Sequence, residues 1–243
     1  MCWSSNSSYT YVATKNQKKY LMKFISMTQE NIRKVDFENQ LQSEIQHPYI
    51  MPILEQFNYE KYRVLVMPYT PSETLIELQR IPDLSIRFIS ISMYRIAVAL
   101  STLHSNNILL RNIKPLDIFI DDIESEEPKP QINNFENSVK LVDNDSISFS
   151  SDVLSYGFTF LFLIHNNIEK MFEQYPDLKD LIQKTLETDP KKRINTFEIT
   201  EHPFFVNVLG KDWIQYENES LYSRIRPLFY VEEAEEYDDL IGI

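Results

Sequence analysis

An α+β chain in two unequal lobes, small and strand-rich first and large and helical second, is predicted by three observations. Period-two apolar alternation crowds the first third. Apolar stripes at helical spacing fill the rest. Between them, Pro68 and Pro71 mark an extended connector. The elements follow in order. Tyr9–Ala13 and Tyr20–Ile25 read as strands flanking a polar turn, Thr14 to Lys19. Leu21, Lys23 and Ile25 share one strand face, because side chains alternate. A lysine between apolar neighbours there is either functional or a snorkelling residue on an edge strand. A polar helix is expected over Gln29–Gln46, then strands at Met51–Phe57 and Tyr62–Met67. Ile89, Met93, Ile96, Leu100 and Leu103 are spaced 4-3-4-3 and define a core-facing helix. Asp117 to Ile120 reads as a short strand. Val153–Ile164 is apolar almost all round and is expected to be the central, fully buried helix. Leu178, Leu181, Ile182 and Leu186 make another amphipathic helix, ending at Asp189-Pro190.

Composition narrows the function. With 243 residues the chain can bury a sizeable core. Its 24 Lys+Arg against 36 Asp+Glu give a net charge of −12, which disfavours nucleic acid and anionic membrane surfaces as partners. A single cysteine, Cys2, suits a reducing compartment. No signal peptide is evident at the start and no apolar run is long enough to span a bilayer, so a cytoplasmic location is expected. Average usage would give roughly 17 glycines, yet the chain has three. A glycine-rich phosphate cradle is therefore not available. His47, His104, His165 and His202 are scattered without metal-like spacing.

Eight segments resemble the eukaryotic protein kinase family, Ser/Thr type, in order and register from about Tyr9 to Phe205. Tyr20-Leu21-Met22-Lys23 is similar to the VAIK strand, and Glu38 stands where the family places its helix-C glutamate before the His47-Pro48 pair. Val66-Met67-Pro68-Tyr69 resembles the hinge, with Thr70 beyond it. Leu110 to Asp117 resembles the HRDLKPEN catalytic loop, and Asn134-Phe135-Glu136 resembles DFG. Ser151 to Gly157, Asp189 to Arg193, and His202 to Phe205 resemble SDVWSxG, DPxxR and HPFF. The resemblance implies a two-lobed kinase-like fold. Its expected parts are an N-lobe over 1–68, a C-lobe over 69–205 with a shortened activation segment, and a C-terminal extension over 206–243.

The departures from the pattern carry the functional expectation. Where the resemblance implies a catalytic aspartate stands Asn112, an amide with no basic lone pair. Where it implies a magnesium-binding aspartate stands Asn134, and Glu136 replaces the following glycine. Asp117 replaces the family's asparagine and keeps a possible metal ligand. Rescue of catalysis by Asp117, with Lys114, stays open. The glycine loop aligns with Trp3 to Ser8, which has no glycine, and the first strand is expected to be absent or truncated at Met1. The nucleotide-binding residues implied are Lys23, Glu38, Met67, Pro68, Thr70, Leu21 and Phe119. Leu21 in the roof and Phe119 in the floor are larger than the resemblance implies, so the adenine slot is expected to be packed with protein unless the lobes separate. Leu110 and Phe135 keep two positions of the apolar column between lobes. Arg111, Asp152 and Arg193 are implied in structural roles, Asp152 capping the catalytic-loop backbone. Asp143 or Asp145 could pair with Arg111, and Arg193 needs a partner other than the missing APE glutamate.

Together these imply a pseudokinase that binds protein partners, with no cofactor expected, or ATP and Mg²⁺ if the pocket works. A divergent active kinase and a non-catalytic nucleotide switch are the alternatives. Asp121, Asp122, Glu124, Glu126 and Glu127 form an acidic cluster, either a solvated turn or a docking patch. The tail Glu232 to Asp239 is acidic in the same way, either solvated or a docking tail.

Overall fold

A computed structural model of the chain describes residues 3–4, 8–28, 35–36, 40, 44–69, 73–81, 84–121, 123, 125–133, 135–141 and 146–225. Ten strands are described: β1 Trp3–Ser4, β2 Ser8–Lys15, β3 Lys18–Ser26, β4 Glu55–Tyr59, β5 Tyr62–Pro68, β6 Glu73–Thr74, β7 Ile108–Leu109, β8 Ile118–Asp121, β9 Lys129–Ile132 and β10 Val139–Lys140. The described helices are α1 Ile86–Ser105, α2 Ser146–Ile164, α3 Ile168–Gln174, α4 Pro176–Thr185, α5 Thr196–Thr200, α6 Pro203–Leu209 and α7 Lys211–Ile225. The fold is α+β, with a β-sheet N-terminal region and a helical C-terminal region.

The N-terminal sheet is antiparallel in the order β1-β2-β3-β5-β4. The turn between β2 and β3 is only Asn16-Gln17, with φ of 51° and 64°. Two consecutive positive φ values match the right-handed twist of a tight hairpin. Lys23 lies on a central strand, opposite Thr10 and Leu65, which removes the edge-strand explanation. The first strand is present but two residues long, pairing Trp3 with Thr10 and Ser4 with Tyr9. The fourth strand begins at Glu55 rather than Met51. Met51 instead leaves the sheet to donate its N–H to the Ile132 carbonyl at 2.9 Å. Residues 35–36, 40 and 44 are helical, and Val35 packs with Ile25 and Leu65.

Helix α1 is the enclosed centre of the second region. Ser85 caps it, its hydroxyl accepting the Phe88 N–H at 3.1 Å. Its apolar stripe is buried as expected, but so are Ser90, Ser92 and Arg95, so α1 is covered nearly all round. By length and composition alone it could cross a membrane, but most of it is packed inside the protein. Helix α2 is therefore not the fully buried helix its composition predicts. It buries Val153, Tyr156, Phe160 and Ile164 at helical spacing, yet Phe158 is 58% exposed on the other face. Gly157 is required where α2 meets α4, since a Cβ there would stand 2.5 Å from Thr185 Oγ1. The amphipathic helix over Leu178 to Ile182 ends at Thr185, before the predicted Asp189.

A buried polar clamp ties the two regions together. Arg95 donates to both carboxylate oxygens of Glu217, at 2.9 and 2.8 Å, and to the Pro128 carbonyl at 2.8 Å. Its guanidinium lies over Tyr49 and Trp213. The Tyr49 hydroxyl donates to the same Glu217. Glu127, expected in either a solvated turn or a docking patch, accepts from Arg95 and from Trp213 Nε1 and is half-buried. Asp122, Glu124 and the acidic tail lie outside the described residues.

Candidate functional site

The catalytic-loop segment hangs from one carboxylate. Asp152, on α2, is fully buried. It accepts the N–H of Leu110 at 2.8 Å and of Arg111 at 2.7 Å. Its Oδ2 also lies 3.0 Å from His104 Nε2, at the end of α1. His104 in turn stacks on Phe149 at 4.4 Å and meets Thr196 Oγ1 at 3.3 Å. Arg111 has φ of 71°, a left-handed backbone that costs a non-glycine residue about 1 kcal/mol or more and persists only where neighbours hold it. Asp152 supplies that hold.

From this anchor the loop runs outward. Asn112 and Lys114 are exposed, while Ile113 is buried. Pro115–Asp117 closes as a single 3₁₀ turn, so Asp117 precedes β8 rather than opening it. The Asp117 carbonyl accepts the N–H of Asn133, next to the DFG-like segment, at 2.7 Å. Asn134 itself lies outside the described residues. Phe135 and Leu110 are both buried in the main core, and Ser138 closes a turn onto the Phe135 carbonyl through its N–H and hydroxyl. Glu136 is half-buried. Among the described residues no cluster of three or more metal-binding side chains occurs.

At the hinge, Leu21 and Met67 are cross-strand partners, and Pro68 stands opposite Tyr20. Leu21, Met51 and Met67 are buried together, with Tyr69 and Phe119 packed against them. Five side chains from β3, β5, β8 and their connectors thus form one apolar cluster. Met51 and Tyr69 extend the slot beyond the residues the sequence pattern marks, and Met51 lies before β4, its N–H bonded to the Ile132 carbonyl. Lys23 is half-buried on the same strand as Leu21. Glu38 and Thr70 lie outside the described residues.

Arg193 finds its partners within the chain. Nε donates to the Glu187 carbonyl at 2.8 Å, and Nη1 to the carbonyl and hydroxyl of Ser150 at 2.8 and 2.7 Å. Arg111 is exposed, and among the described residues its guanidinium pairs with no carboxylate. Asp143 and Asp145 lie outside the described residues.

The protein kinase domain model matches residues 4–159. Similar proteins include an Aurora kinase of Dictyostelium discoideum, 23% identical over 81% of this chain and 62% of its own length. An Aurora kinase of Schizosaccharomyces pombe is 25% identical over 80% of this chain and 65% of its own length. Aurora/IPL1-related protein kinase 2 of Caenorhabditis briggsae is 26% identical over 71% and 68%. The chain thus spans about two thirds or less of the first two relatives. Sheet order, loop anchoring and this match agree: the chain belongs to the eukaryotic protein kinase family.

Proposed function

We propose that the chain is a pseudokinase: a kinase fold that serves as a protein-binding or scaffolding module and transfers phosphate poorly or not at all. The observation that carries this reading is the apolar cluster of Leu21, Met51, Met67, Tyr69 and Phe119, where the family resemblance implies the adenine slot. Opening it to admit a base would expose buried apolar surface, at about 25 cal/mol per Å². Asn112 supports the same reading, since loss of a general base alone costs about 10²–10⁴ in rate. The donor set for magnesium is also poor. Asp117 supplies one charged oxygen, and Asn134 is a neutral amide where hard cations prefer carboxylates. The partner is a protein that meets the helical region near the shortened segment between Asn134 and Asp152.

Asp117, together with the kinase names of the relatives, favours active phosphotransfer as the second reading. A thermal-shift titration with ATP, with and without Mg²⁺, beside Lys23→Ala, separates them. At ligand near 100 times its dissociation constant, binding adds about 2.7 kcal/mol, a rise of roughly 5–11 °C for a domain of this size. The expected result is no shift at millimolar ATP. A shift that Lys23→Ala abolishes would sink the packed-slot reading. Autophosphorylation lost in Asp117→Ala would then establish the active kinase.

A further inference from the structure

Beneath the catalytic loop lies a groove of about 500 Å³ that the kinase chemistry does not use. Its apolar lining is Phe149, Val153 and Ile194, with Phe149 held flat against His104. Its rim is Lys191, Lys192 and Arg193, three consecutive cations in a chain of net charge −12. Lys191 and Lys192 are exposed. Among the described residues Lys191 has no acidic partner, and Lys192 lies 4.0 Å from Asp189, the outer limit of an ion pair. Glu198, which also lines the groove, is occupied by the Asn195 N–H in a capping box at 2.8 Å. The groove is therefore apolar inside and cationic at the edge, where Asp189 offsets Lys192 only at the outer limit of an ion pair and Lys191 has no acidic partner among the described residues.

The C-terminal segment has the complementary chemistry. Leu228-Phe229-Tyr230-Val231 is followed by Glu232-Glu233-Ala234-Glu235-Glu236-Tyr237-Asp238-Asp239 and then Leu240-Ile241. Reach is sufficient. Arg95 and Glu217 fix the point where α1 and α7 meet. From Arg95 to His104 is ~14 Å along α1, and from Glu217 to Ile225 ~12 Å along α7. Adding ~10 Å between helix axes, the end of α7 lies within ~36 Å of the groove, whichever way the helices run. An extended chain covers ~3.3–3.6 Å per residue, so a stretch from 226 into the acidic run spans that distance. The tether also favours attachment in cis. A tethered segment meets the groove at an effective concentration in the millimolar range, which a separate acidic partner lacks.

We propose that residues 226–243 fold back in cis onto this groove, with their carboxylates against Lys191, Lys192 and Arg193 and their apolar residues over Phe149 and Val153. This stands whether or not the chain transfers phosphate.

Zero-length carbodiimide crosslinking of the dilute full chain, read by peptide mass spectrometry, tests it. The expected product joins Lys191 or Lys192 to an acid among Glu232 to Asp239, within the monomer, in a yield unchanged by dilution and lost in high salt. Tail crosslinks confined to dimers would assign the groove to a second copy and overturn the proposal. Monomer crosslinks from the tail to other lysines alone would also overturn it. A second measurement leaves the groove untouched. Glu232→Gln, Glu233→Gln, Glu235→Gln and Glu236→Gln are combined, and amide exchange is followed over Phe149 to Val153. Faster exchange in the variant is expected; an unchanged pattern overturns the docking.

Discussion

The buried polar anchors of this protein and the exposed row of its catalytic-loop-like segment differ in kind. Asp152, Arg95 and Glu217 are buried, and each makes several bonds. Arg111, Asn112 and Lys114, one turn of chain away, are exposed to solvent. The anchors hold the fold together through buried bonds, and the exposed row, under the proposed function, is where the reacting groups of the family would stand. Because different residues carry the two tasks, one can change while the other stays intact. Membership of the family therefore follows from the anchors and says little about the chemistry.

The strongest way to break the comparison is Asp152→Ala. It strands the N–H groups of Leu110 and Arg111 and removes the partner of His104. Unmet buried donors cost about 1–3 kcal/mol each, so a loss of about 3–5 kcal/mol is expected. Urea unfolding measures it directly. A loss under 1 kcal/mol would mean that the loop holds its left-handed turn without the anchor.

His47 gives the next effect, through pH. Its Nδ1 accepts the Tyr49 N–H at 3.2 Å, and its Nε2 has no hydrogen-bond partner among the described residues. Burial pushes its pKa down to about 4, against a smaller opposing pull from Glu217. The unfolded chain binds this proton near pH 6.5, whereas the folded protein refuses it until about pH 4. Stability is thus lost as pH falls from about 6.5 to about 4, and levels below that. The expected loss from this group is about 3 kcal/mol. His47→Asn keeps an acceptor for Tyr49 without the proton. The difference in unfolding free energy between the two proteins should change by about that amount between pH 7 and pH 4. A constant difference would show that His47 is hydrated rather than held as an anchor.

The same division governs what could be read in advance. Asp152, Leu110, Phe135 and Lys23 belong to contiguous motifs, and a motif carries its residues to their places together. The partners that complete those motifs are distant in sequence. His104 meets Asp152 across 48 positions, and Arg95 meets Glu217 across 122. No local pattern encodes such choices, because they depend on which helices pack. Glu127 reads with its acidic neighbours for that reason. Composition alone makes helix α2 central, yet burial depends on neighbours, and α1 is covered nearly all round while α2 leaves Phe158 exposed. Leu21 and Phe119 belong to motif positions that the sequence singles out, and the structure buries Leu21 with Phe119 packed against its cluster. Met51 and Tyr69 carry no such signal, since each lies in a connector outside the neighbouring strand.

Asn112→Asp is expected to have the smallest effect and sharpens the comparison most. Asn112 is exposed and, among the described residues, its side chain makes no hydrogen bond. Surface changes of this kind stay within about 0.5 kcal/mol, so the unfolding free energy should not move. Phosphotransfer should also stay at background, because the amide at Asn134, the charge at Glu136 and the packed cluster around Met67 remain. A radiometric assay on this variant distinguishes two kinds of lesion. A restored base normally returns about 10²–10⁴ in rate where substrate and metal are already in place. A gain of that size would mean that the loop, the slot and the metal position are all competent and that one amide silences them. Background counts would mean that the anchors preserve the shape of a kinase around a site that restoring this one carboxylate does not restart.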